Sequence, residues 1–342
     1  MTTLRPEPSI ASNAKTSIGV VLLSLGSPDA PTPAAVRKYL GEFLADPRVV
    51  EVPRLFWWPI LHGIILRTRP ARSAKKYAAI WTSEGSPLQV HCARQARLLK
   101  GFLGSRGVPA VVATAMRYGQ PAISSVLDQL KAAGCRRILL LPLFPQYASS
   151  TTGSALARAL EWVIAARNQP ELRAVRSFAD HAGYIEALAQ SVRKHWMTHG
   201  QPASSYRLVI SFHGLPMSMV ENGDPYYAEC QTTARLLTAA LGLSEDQYRI
   251  SFQSRFGRSK WLSPATAQTL SELGRTGVAR VDVICPGFTA DCLETLEEIA
   301  IEGKAGFLDA GGKEFHYIAS LNEDDAWIHA LADFTIKHLQ GW

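Results

Sequence analysis

The chain has 342 residues, 47% hydrophobic and 19% charged, a balance that excludes extensive disorder and favours two globular domains. The formal net charge of +7 favours an anionic partner, but Lys and Arg are scattered and no nucleic-acid motif is present, so nucleic acid is not expected. Five cysteines without a CxxC pair are typical of a reducing, cytoplasmic location.

The first 17 residues are polar, contain prolines and lack the apolar core of a signal peptide, so we expect a flexible arm. The apolar run "IGVVLLSLG" (18–26) then predicts the first buried strand. A second apolar run, "LFWWPILHGIIL" (55–66), is too short to span a bilayer. Its segment, about 52–90, has two interpretations: an amphipathic helix packed on the core, or an apolar lip that takes a flat hydrophobic ligand and touches membrane.

Helices and strands alternate along the rest of the chain. The pattern predicts helices over 122–134, which ends on a Gly cap, and over 154–169. Short runs rich in Val, Ile and Leu predict buried strands over 136–144, 206–214 and 278–288. This alternation is typical of an α/β fold with parallel sheets.

The two halves of the sequence resemble each other. "VLLSLGSP" (21–28) parallels "LVISFHGLP" (208–216), and the segments that follow them also match. We therefore predict two similar Rossmann-like α/β domains facing across a cleft, with about 50 extra residues in the first half. The predicted boundaries are 18–185, 186–322, and a C-terminal helix over 323–342 that packs back on the N-terminal domain.

Candidate chemistry lies at the ends of the predicted strands, where ligands of parallel sheets collect. His213 ends one strand. After another strand, the acidic residues Asp291, Glu294, Glu298 and Glu302 are spaced 3, 4 and 4 apart and so share one face of a helix. An imidazole opposite carboxylates makes a mixed nitrogen and oxygen site for a divalent cation such as iron.

Several motifs together resemble the ferrochelatase family of haem biosynthesis, over about residues 18–340. They are "SFHGLP" followed by "GDPYYAEC", "FQSRFGRSKWLSPAT", "LFPQYASSTTGSAL" and "PGFTADCLETLEE". The resemblance implies a chelatase-type fold whose cleft holds the porphyrin, and an enzyme that inserts Fe2+ into protoporphyrin IX to form protohaem. Protoporphyrin IX and ferrous iron would be its substrates, and no cofactor would be required.

The resemblance also implies roles for individual residues. His213 matches the family's invariant histidine and would accept a proton or bind metal. Glu294 matches the essential carboxylate and would bind metal or relay protons, with Asp291, Glu298 and Glu302 as an acidic path. The porphyrin would contact pocket walls and propionate-binding groups, which match Leu25, Tyr77, Arg117, Tyr118, Ser149, Ser150, Thr151, Thr152, Trp261 and Phe288.

Some features separate this chain from relatives and leave alternatives open. The last cysteine is Cys292, so the [2Fe–2S] cluster of certain relatives is not expected. The alternatives are a coproporphyrin III ferrochelatase, a porphyrin or haem carrier without turnover, and a cobalt chelatase, which would need paired histidines. We expect a cytoplasmic protein, either free or in peripheral contact with the inner membrane through the lip.

Overall fold

The computed structural model of the chain describes residues 4, 7, 17–200, 205–255, 257 and 259–342. Its strands form two sheets of four, and every pairing within them is parallel. The strands are β1 (Ser17–Ser24), β2 (Ala110–Met116), β3 (Cys135–Pro142), β4 (Glu171–Ala174), β5 (Tyr206–His213), β6 (Tyr248–Gln253), β7 (Arg280–Ile284) and β8 (Glu314–Ile318).

Both sheets have the same strand order, β2-β1-β3-β4 in the first and β6-β5-β7-β8 in the second. In each sheet a central strand carries a fully buried run, since Val20 to Leu23 of β1 and Leu208 to Phe212 of β5 are inaccessible to solvent. This confirms the predicted fold class of two similar parallel α/β sheets. Four strands were not predicted, and three of them, β2, β4 and β8, lack the continuous buried run that identified the others.

The sheets are covered by α-helices and by three π-helical segments. The α-helices are α1 (Pro33–Leu44), α2 (Arg54–Ile60), α3 (Leu66–Ile80), α4 (Pro87–Ser105), α5 (Ile123–Ala132), α6 (Ser154–Ala165), α7 (Ala182–His199), α8 (Met217–Glu221), α9 (Tyr226–Leu241), α10 (Thr266–Arg275), α11 (Lys304–Asp309) and α12 (Asp325–Leu339). The π-helices are π1 (Leu61–Ile65), π2 (Ser149–Gly153) and π3 (Glu294–Gly303).

Local sequence signals explain where several helices begin and end. At the start of α1, the Thr32 side chain accepts a hydrogen bond from the backbone N–H of Ala35 (3.3 Å), and Pro33 occupies the first turn. Helix α9 ends on Gly242, whose φ of 67° is the left-handed conformation that favours glycine. The predicted helix over 122–134 is α5, and it stops just before Gly134.

The chain divides into two compact units. Unit 1 comprises residues 1–144, 148–177 and 328–342, and unit 2 comprises residues 145–147 and 178–327. Most of α12 thus belongs to unit 1, where the Arg173 side chain on β4 donates hydrogen bonds to the backbone carbonyls of His338 and Gln340, both over 2.8 Å.

Equivalent loops follow the second strand of each sheet. In unit 1 the N–H of Met116 donates to the carbonyl of Pro121 (2.7 Å), and in unit 2 the N–H of Phe252 donates to that of Pro264 (2.9 Å).

The units differ in the helices that connect their first two strands along the chain. Unit 1 places α1 to α4 and π1 there, whereas unit 2 places α8 and α9, so the extra residues of the first half form helices.

The segment formed by α2 and π1 has one packed face and one exposed apolar face. On the packed face, Leu61 is fully buried against α1, and the Trp57 indole N–H donates to the carbonyl of Leu44 (2.7 Å). On the exposed face, Leu55 is 79% and Phe56 65% accessible, together with Trp58, Ile60 and Ile64. We call these five residues the apolar patch. None of the helices among the described residues combines the length and apolar character needed to cross a bilayer.

Candidate functional site

His213 is the last residue of β5, at the carboxyl end of the central strand of unit 2. Its Nδ1 lies 2.6 Å from the carbonyl oxygen of Gly214. A carbonyl only accepts hydrogen bonds, so Nδ1 carries the proton and Nε2 of the neutral ring keeps its lone pair. Behind the strand, the Tyr226 hydroxyl has a backbone hydrogen bond with His213, and burial raises the pKa of that phenol well above its usual value.

The loop after His213 is fixed by pairing with the loop after β6. The N–H of Gly214 donates to the carbonyl of Gln253 (2.7 Å), and Pro216 forms an antiparallel bridge with Trp261. A Cβ at position 214 would lie 2.6 Å from that carbonyl oxygen and 3.2 Å from the Trp261 ring, so only glycine fits without a shift. Phe288, from the loop after β7, has its ring centre 6.5 Å from that of His213. The structure thus gathers His213, Trp261 and Phe288 at one end of the sheet.

Glu294 is the first residue of π3 and is half-buried. Its carbonyl accepts a hydrogen bond from Nε2 of Gln253 (2.7 Å), and Gln253 itself pairs in register with His213. The other side of the amide, Oε1, accepts from the Ser211 hydroxyl (2.7 Å). Buried Gln253 therefore connects the strand that carries His213 to the helix that begins with Glu294.

The acidic residues of π3 are held differently from one another. Glu298, one turn beyond Glu294, accepts hydrogen bonds from both the backbone N–H and the hydroxyl of Ser254, each at 2.5 Å. Ser254 adopts a φ of 62°, which turns both donors toward the same carboxylate. Glu294 and Glu298 are half-buried and Glu302 is exposed, so this acidic face runs from the interior to the surface.

Asp291 does not share that helical face. It precedes π3 and is buried, with its carboxylate accepting hydrogen bonds from the Tyr317 hydroxyl (2.5 Å), Thr295 (3.0 Å) and Asn322 (2.7 Å). The prediction that four carboxylates share one face of a helix is therefore wrong for Asp291. The spacing assumed that the helix already included residue 291, but the chain there forms a loop tied to the segment after β8.

Cys292 lies beside Glu294 and is fully enclosed. Burial, followed by the nearby Glu294 carboxylate, raises the pKa of the Cys292 thiol well above its usual value. A protonated thiol donates a hydrogen bond and is a poor metal ligand, because metals bind the thiolate. The thiol thus serves as a hydrogen-bond donor to the Glu294 side chain.

In unit 1, a buried polar cluster lies where β2 ends. Arg117 donates to Asp46 (2.5 Å) and Ser154 (2.6 Å), and the Tyr118 hydroxyl donates to the same Asp46 carboxylate over 2.8 Å. Tyr118 is 1% accessible, with the Phe43 ring against its edge. Both predicted porphyrin-binding residues are therefore engaged with Asp46, and a propionate that bound Arg117 would compete with this ion pair.

The other predicted residues of unit 1 differ in how they are related to this cluster. Leu25 is bonded to it through the backbone, since its carbonyl accepts from the N–H of Tyr118 (2.9 Å). Ser149 accepts a hydrogen bond from the Arg48 side chain (3.2 Å). Ser149 to Thr152 form the π2 turn directly before Ser154, and the buried Thr152 hydroxyl has no partner among the described residues. Tyr77 is buried on α3 with its ring edge toward Trp81.

Sequence reasoning did not single out the residues that hold these groups in place. Gln253 and Ser254 stand inside the quoted motif "FQSRFGRSKWLSPAT", whereas Asp46 lies in none of the quoted motifs. A polar residue at the end of a buried strand is the signal that could have identified Gln253. Asp46 offered no such signal, because its partners are about 70 and 108 positions away.

The fold of the chain is similar to that of solved chelatase structures. The chain is similar to SirB from Bacillus subtilis with Fe3+, at a TM-score of 0.52 and 13% identity, covering 95% of this chain and 96% of that one. It is also similar to CbiX, the terminal enzyme for biosynthesis of siroheme in denitrifying bacteria, at a TM-score of 0.52 and 14% identity, covering 95% and 100%. The fold is that of the two-domain chelatases.

Sequence comparisons then identify the family. The ferrochelatase family model matches residues 17–339. The chain is 59% identical over 337 residues to the ferrochelatase of Dechloromonas aromatica, covering 98% of this chain and 92% of that relative. It is 55% identical over 343 residues to the ferrochelatase of Nitrosomonas europaea, covering 100% and 93%. The chain belongs to the ferrochelatase family, and is a metal chelatase that inserts iron into a porphyrin in haem synthesis.

Proposed function

We propose that the porphyrin is protoporphyrin IX, and that His213 and Glu294 carry out the insertion of Fe2+ that yields protohaem and releases two protons. The observation that carries this proposal is the hydrogen bond from Nδ1 of His213 to the Gly214 carbonyl (2.6 Å). It leaves Nε2 with a lone pair at the carboxyl end of a parallel strand, where an α/β enzyme binds its substrate.

His213 is suited to accept the pyrrole protons. The porphyrin must lose two N–H protons before four nitrogens can bind the metal, and a neutral imidazole is a base near physiological pH. The same lone pair is a ligand for ferrous iron, so His213 either accepts a proton or binds metal as the ion arrives. The aromatic rings of Trp261 and Phe288 beside it offer flat apolar faces to a macrocycle.

Glu294 provides a carboxylate that binds ferrous iron or accepts a proton. Gln253 fixes its backbone, and Cys292 donates a hydrogen bond to its side chain. Glu298 and the exposed Glu302 continue the acidic face toward the surface, a route for cations entering or protons leaving. Asp291 stays outside this route as a structural anchor, because its carboxylate is bonded within the fold.

The unit 1 residues are proposed to contact the porphyrin. Leu25 offers an apolar side chain, and the hydroxyls of Ser149 to Thr152 are donors for a propionate. Arg117 would join them by exchanging its hydrogen bonds with Asp46 for bonds to the propionate. Binding energy from these contacts would offset the cost of distorting the macrocycle, and the distortion exposes its nitrogen lone pairs.

Coproporphyrin III is the alternative substrate. It carries two more carboxylates than protoporphyrin and would need further basic contacts, whereas the apolar patch favours a substrate that partitions into membrane. The carrier alternative needs an axial ligand but makes no use of the acidic face of π3.

The test is anaerobic metal insertion by the purified protein, with Fe2+ or Zn2+ and either porphyrin. The variants are His213→Ala and Glu294→Gln, and the matched controls are His329→Ala and Glu272→Gln on exposed helical positions. We expect turnover with protoporphyrin that falls at least about 100-fold in both variants and stays near the parent value in both controls. Full activity in His213→Ala, or faster turnover with coproporphyrin, would overturn the corresponding part of the proposal.

We further propose that the protein works at the cytoplasmic face of the membrane and touches it through the apolar patch. Leu55, Phe56 and Ile64 expose apolar surface, and Arg54 and Arg67 beside them are suited to anionic lipid headgroups. Such contact would deliver an apolar porphyrin from the bilayer directly to the enzyme.

Sedimentation with vesicles of mixed phosphatidylglycerol and phosphatidylcholine tests this contact. Leu55→Glu with Phe56→Glu should release the protein from the vesicles, since both changes place charge on the bound surface. The matched control is Leu160→Glu with Ile164→Glu, an exposed apolar pair on α6 that should leave binding unchanged. Equal binding of the parent and the patch variant would refute membrane contact through the patch.

A further inference from the structure

Three histidines of unit 2 form a cluster separate from His213. His195 and His199 lie one turn apart near the end of α7, and His316 lies in the middle of β8. The ring centres are 4.2 Å apart for His195 and His199, 4.5 Å for His199 and His316, and 5.1 Å for His195 and His316. Among the described residues they are the one group of three or more metal-ligating side chains whose ligand atoms all lie within 4.8 Å of one another.

The cluster is remote from the residues proposed for iron insertion. His316 pairs in register with Asp282 of β7, and Asp282 pairs with Leu208 of β5. His213 lies five positions further along β5, which is about 17 Å at the rise of a parallel strand. The cluster is thus well beyond the reach of an ion held by His213.

Two of the rings have one nitrogen committed to a neighbouring acceptor, whereas the buried Nε2 of His195 makes no hydrogen bond to any described residue. Nε2 of His316 is 2.6 Å from a carboxylate oxygen of Glu314. Nδ1 of His199 is 3.1 Å from the carbonyl oxygen of His195, and Nε2 of His195 is 3.4 Å from a carboxylate oxygen of Asp282. In metal sites, a ligating histidine donates its other N–H to a carboxylate or carbonyl in this way, which fixes the tautomer and orients the ring.

We propose that His195, His199 and His316 bind a divalent transition-metal ion of the Zn2+ class through their remaining nitrogens. These are Nε2 of His199 and Nδ1 of His316, together with one ring nitrogen of His195. Three imidazoles with a fourth position open to water are a ligand set for Zn2+, and also for Co2+, Ni2+ or Cu2+, whereas Mg2+ and Ca2+ prefer oxygen ligands.

The charges around the cluster favour a cation. Asp282 is completely buried, and Glu314 adds a second carboxylate, against the single positive charge of Arg280. Arg280 is committed to Asp282, with two contacts of 3.0 Å, and donates to the carbonyl of His199 (2.7 Å). The two carboxylates therefore leave a net negative charge beside the three rings.

An ion at this position would connect the end of α7 to the edge strand β8. Because such an ion binds the folded chain and not the unfolded one, it would stabilise unit 2. It would also stay bound while substrate iron turns over elsewhere, so added Zn2+ would occupy two kinds of site with different roles.

Zn2+ binding by the chelator-treated full chain tests the proposal. The parent for the test is His213→Ala with Glu294→Gln, so that the iron site does not contribute, and His199→Ala and His316→Ala are added to it singly. His329→Ala, an exposed histidine on α12, is the matched control. Calorimetry with Zn2+ should give one bound ion in the parent and control, with affinity at least about tenfold weaker in each cluster variant.

Co2+ absorption and thermal unfolding supply independent readouts. Co2+ should give the intense visible bands of a four-coordinate site in the parent and lose them in His199→Ala, a surface change that leaves the core intact. Zn2+ should raise the melting temperature of the parent and not of that variant. No binding by the parent, or unchanged affinity in both cluster variants, would overturn the proposal.

Iron insertion separates this proposal from the proposed function. With His213 and Glu294 restored, His199→Ala should insert iron at a rate within about twofold of the unmodified chain, because the cluster touches none of the groups assigned to chemistry. If His199→Ala kept full Zn2+ affinity but lost most of its iron-insertion activity, the claim that the cluster is separate from the insertion site would be contradicted. Inactivity of His213→Ala bears only on the proposed function.

Discussion

Gln253 donates a hydrogen bond from its side-chain amide to the carbonyl oxygen of Glu294 over 2.7 Å. The same residue is in register with His213, and its own carbonyl accepts from the N–H of Gly214. One buried amide thus sets the position of the helix bearing the carboxylate relative to the strand bearing the imidazole. Its role is positioning, because no hydrogen bond joins it to either reactive side chain.

Replacing Gln253 with Met tests this positioning role. Met has a similar shape but no amide, so Glu294 would lose its fixed backbone and the Ser211 hydroxyl would lose its acceptor. We expect kcat for iron insertion to fall about 10- to 100-fold, with a small change in KM for the porphyrin. Gln268→Met, on the exposed face of α10, is the control. If kcat of Gln253→Met stayed within twofold of the parent, the amide would have no positioning role.

Gly214→Ala tests the close approach of the two loops beside His213. The new Cβ would meet the Gln253 carbonyl at 2.6 Å, so one loop must move and the His213 ring with it. We expect a loss of about 1–3 kcal/mol in the free energy of unfolding and a larger fractional loss of kcat. Gly101→Ala is the control, because position 101 is helical and has no atom within 4 Å of the added group. A stable, fully active Gly214→Ala would show that the loops adjust freely.

The sequence predicted much of the fold because its signals are local. The strands β1, β3, β5 and β7 are short apolar runs, and α5 and α6 show helical spacing, so each could be recognised without knowing its neighbours. Edge strands such as β4 are only partly buried and carry no such run. The π-helices were not foreseen, because apolar spacing does not distinguish an i to i+5 hydrogen-bond pattern from the ordinary one.

Reactive groups of the site could be proposed from sequence, but their partners could not. His213 stands at a recognisable strand end, and Glu294 follows the next strand of the same kind. The hydrogen bonds that fix Glu294 and Glu298 join residues 41 and 44 positions apart, namely Gln253 to Glu294 and Ser254 to Glu298. Such pairs become visible only when the strands are placed side by side. The same holds for Arg117, whose interaction with Asp46 joins residues 71 positions apart and could not be read from the sequence around either residue.

Ser254 donates two hydrogen bonds to the carboxylate of Glu298. Replacing Ser254 tests whether these hydrogen bonds matter for metal entry. Ser254→Ala removes the hydroxyl but keeps the N–H, while Ser254→Gly also relieves the backbone at φ 62°. Both should raise KM for Fe2+ several-fold, because Glu298 loses a charge-assisted hydrogen bond and becomes more mobile. Initial rates at varied Fe2+ and saturating porphyrin provide the measurement. Unchanged KM for Fe2+ in both variants would remove Glu298 from the proposed route.

Asp46 should make the stability of the chain depend on pH in the acidic range. Burial, the largest influence, acts to raise its pKa, but hydrogen bonds from Ser154, the Arg48 N–H and Tyr118, with the charge of Arg117, lower the pKa below its usual value. The folded chain therefore holds the charged form more strongly than the unfolded chain does. This stabilisation is complete above the pKa of an unfolded aspartate, about 3.9, and is lost as pH falls through the lower folded pKa.

Asp46→Asn removes that contribution and leaves the Arg117 charge without a partner. We expect the variant to lose about 3 kcal/mol in the free energy of unfolding at pH 7, and the difference from the parent to shrink below about pH 4. Denaturant unfolding at a series of pH values gives both quantities. Asp333→Asn, which breaks the exposed pair with Arg106, should change stability by less than about 1 kcal/mol. A loss in Asp46→Asn that stayed constant down to acid pH would mean that packing, and not the charge of Asp46, stabilises this cluster.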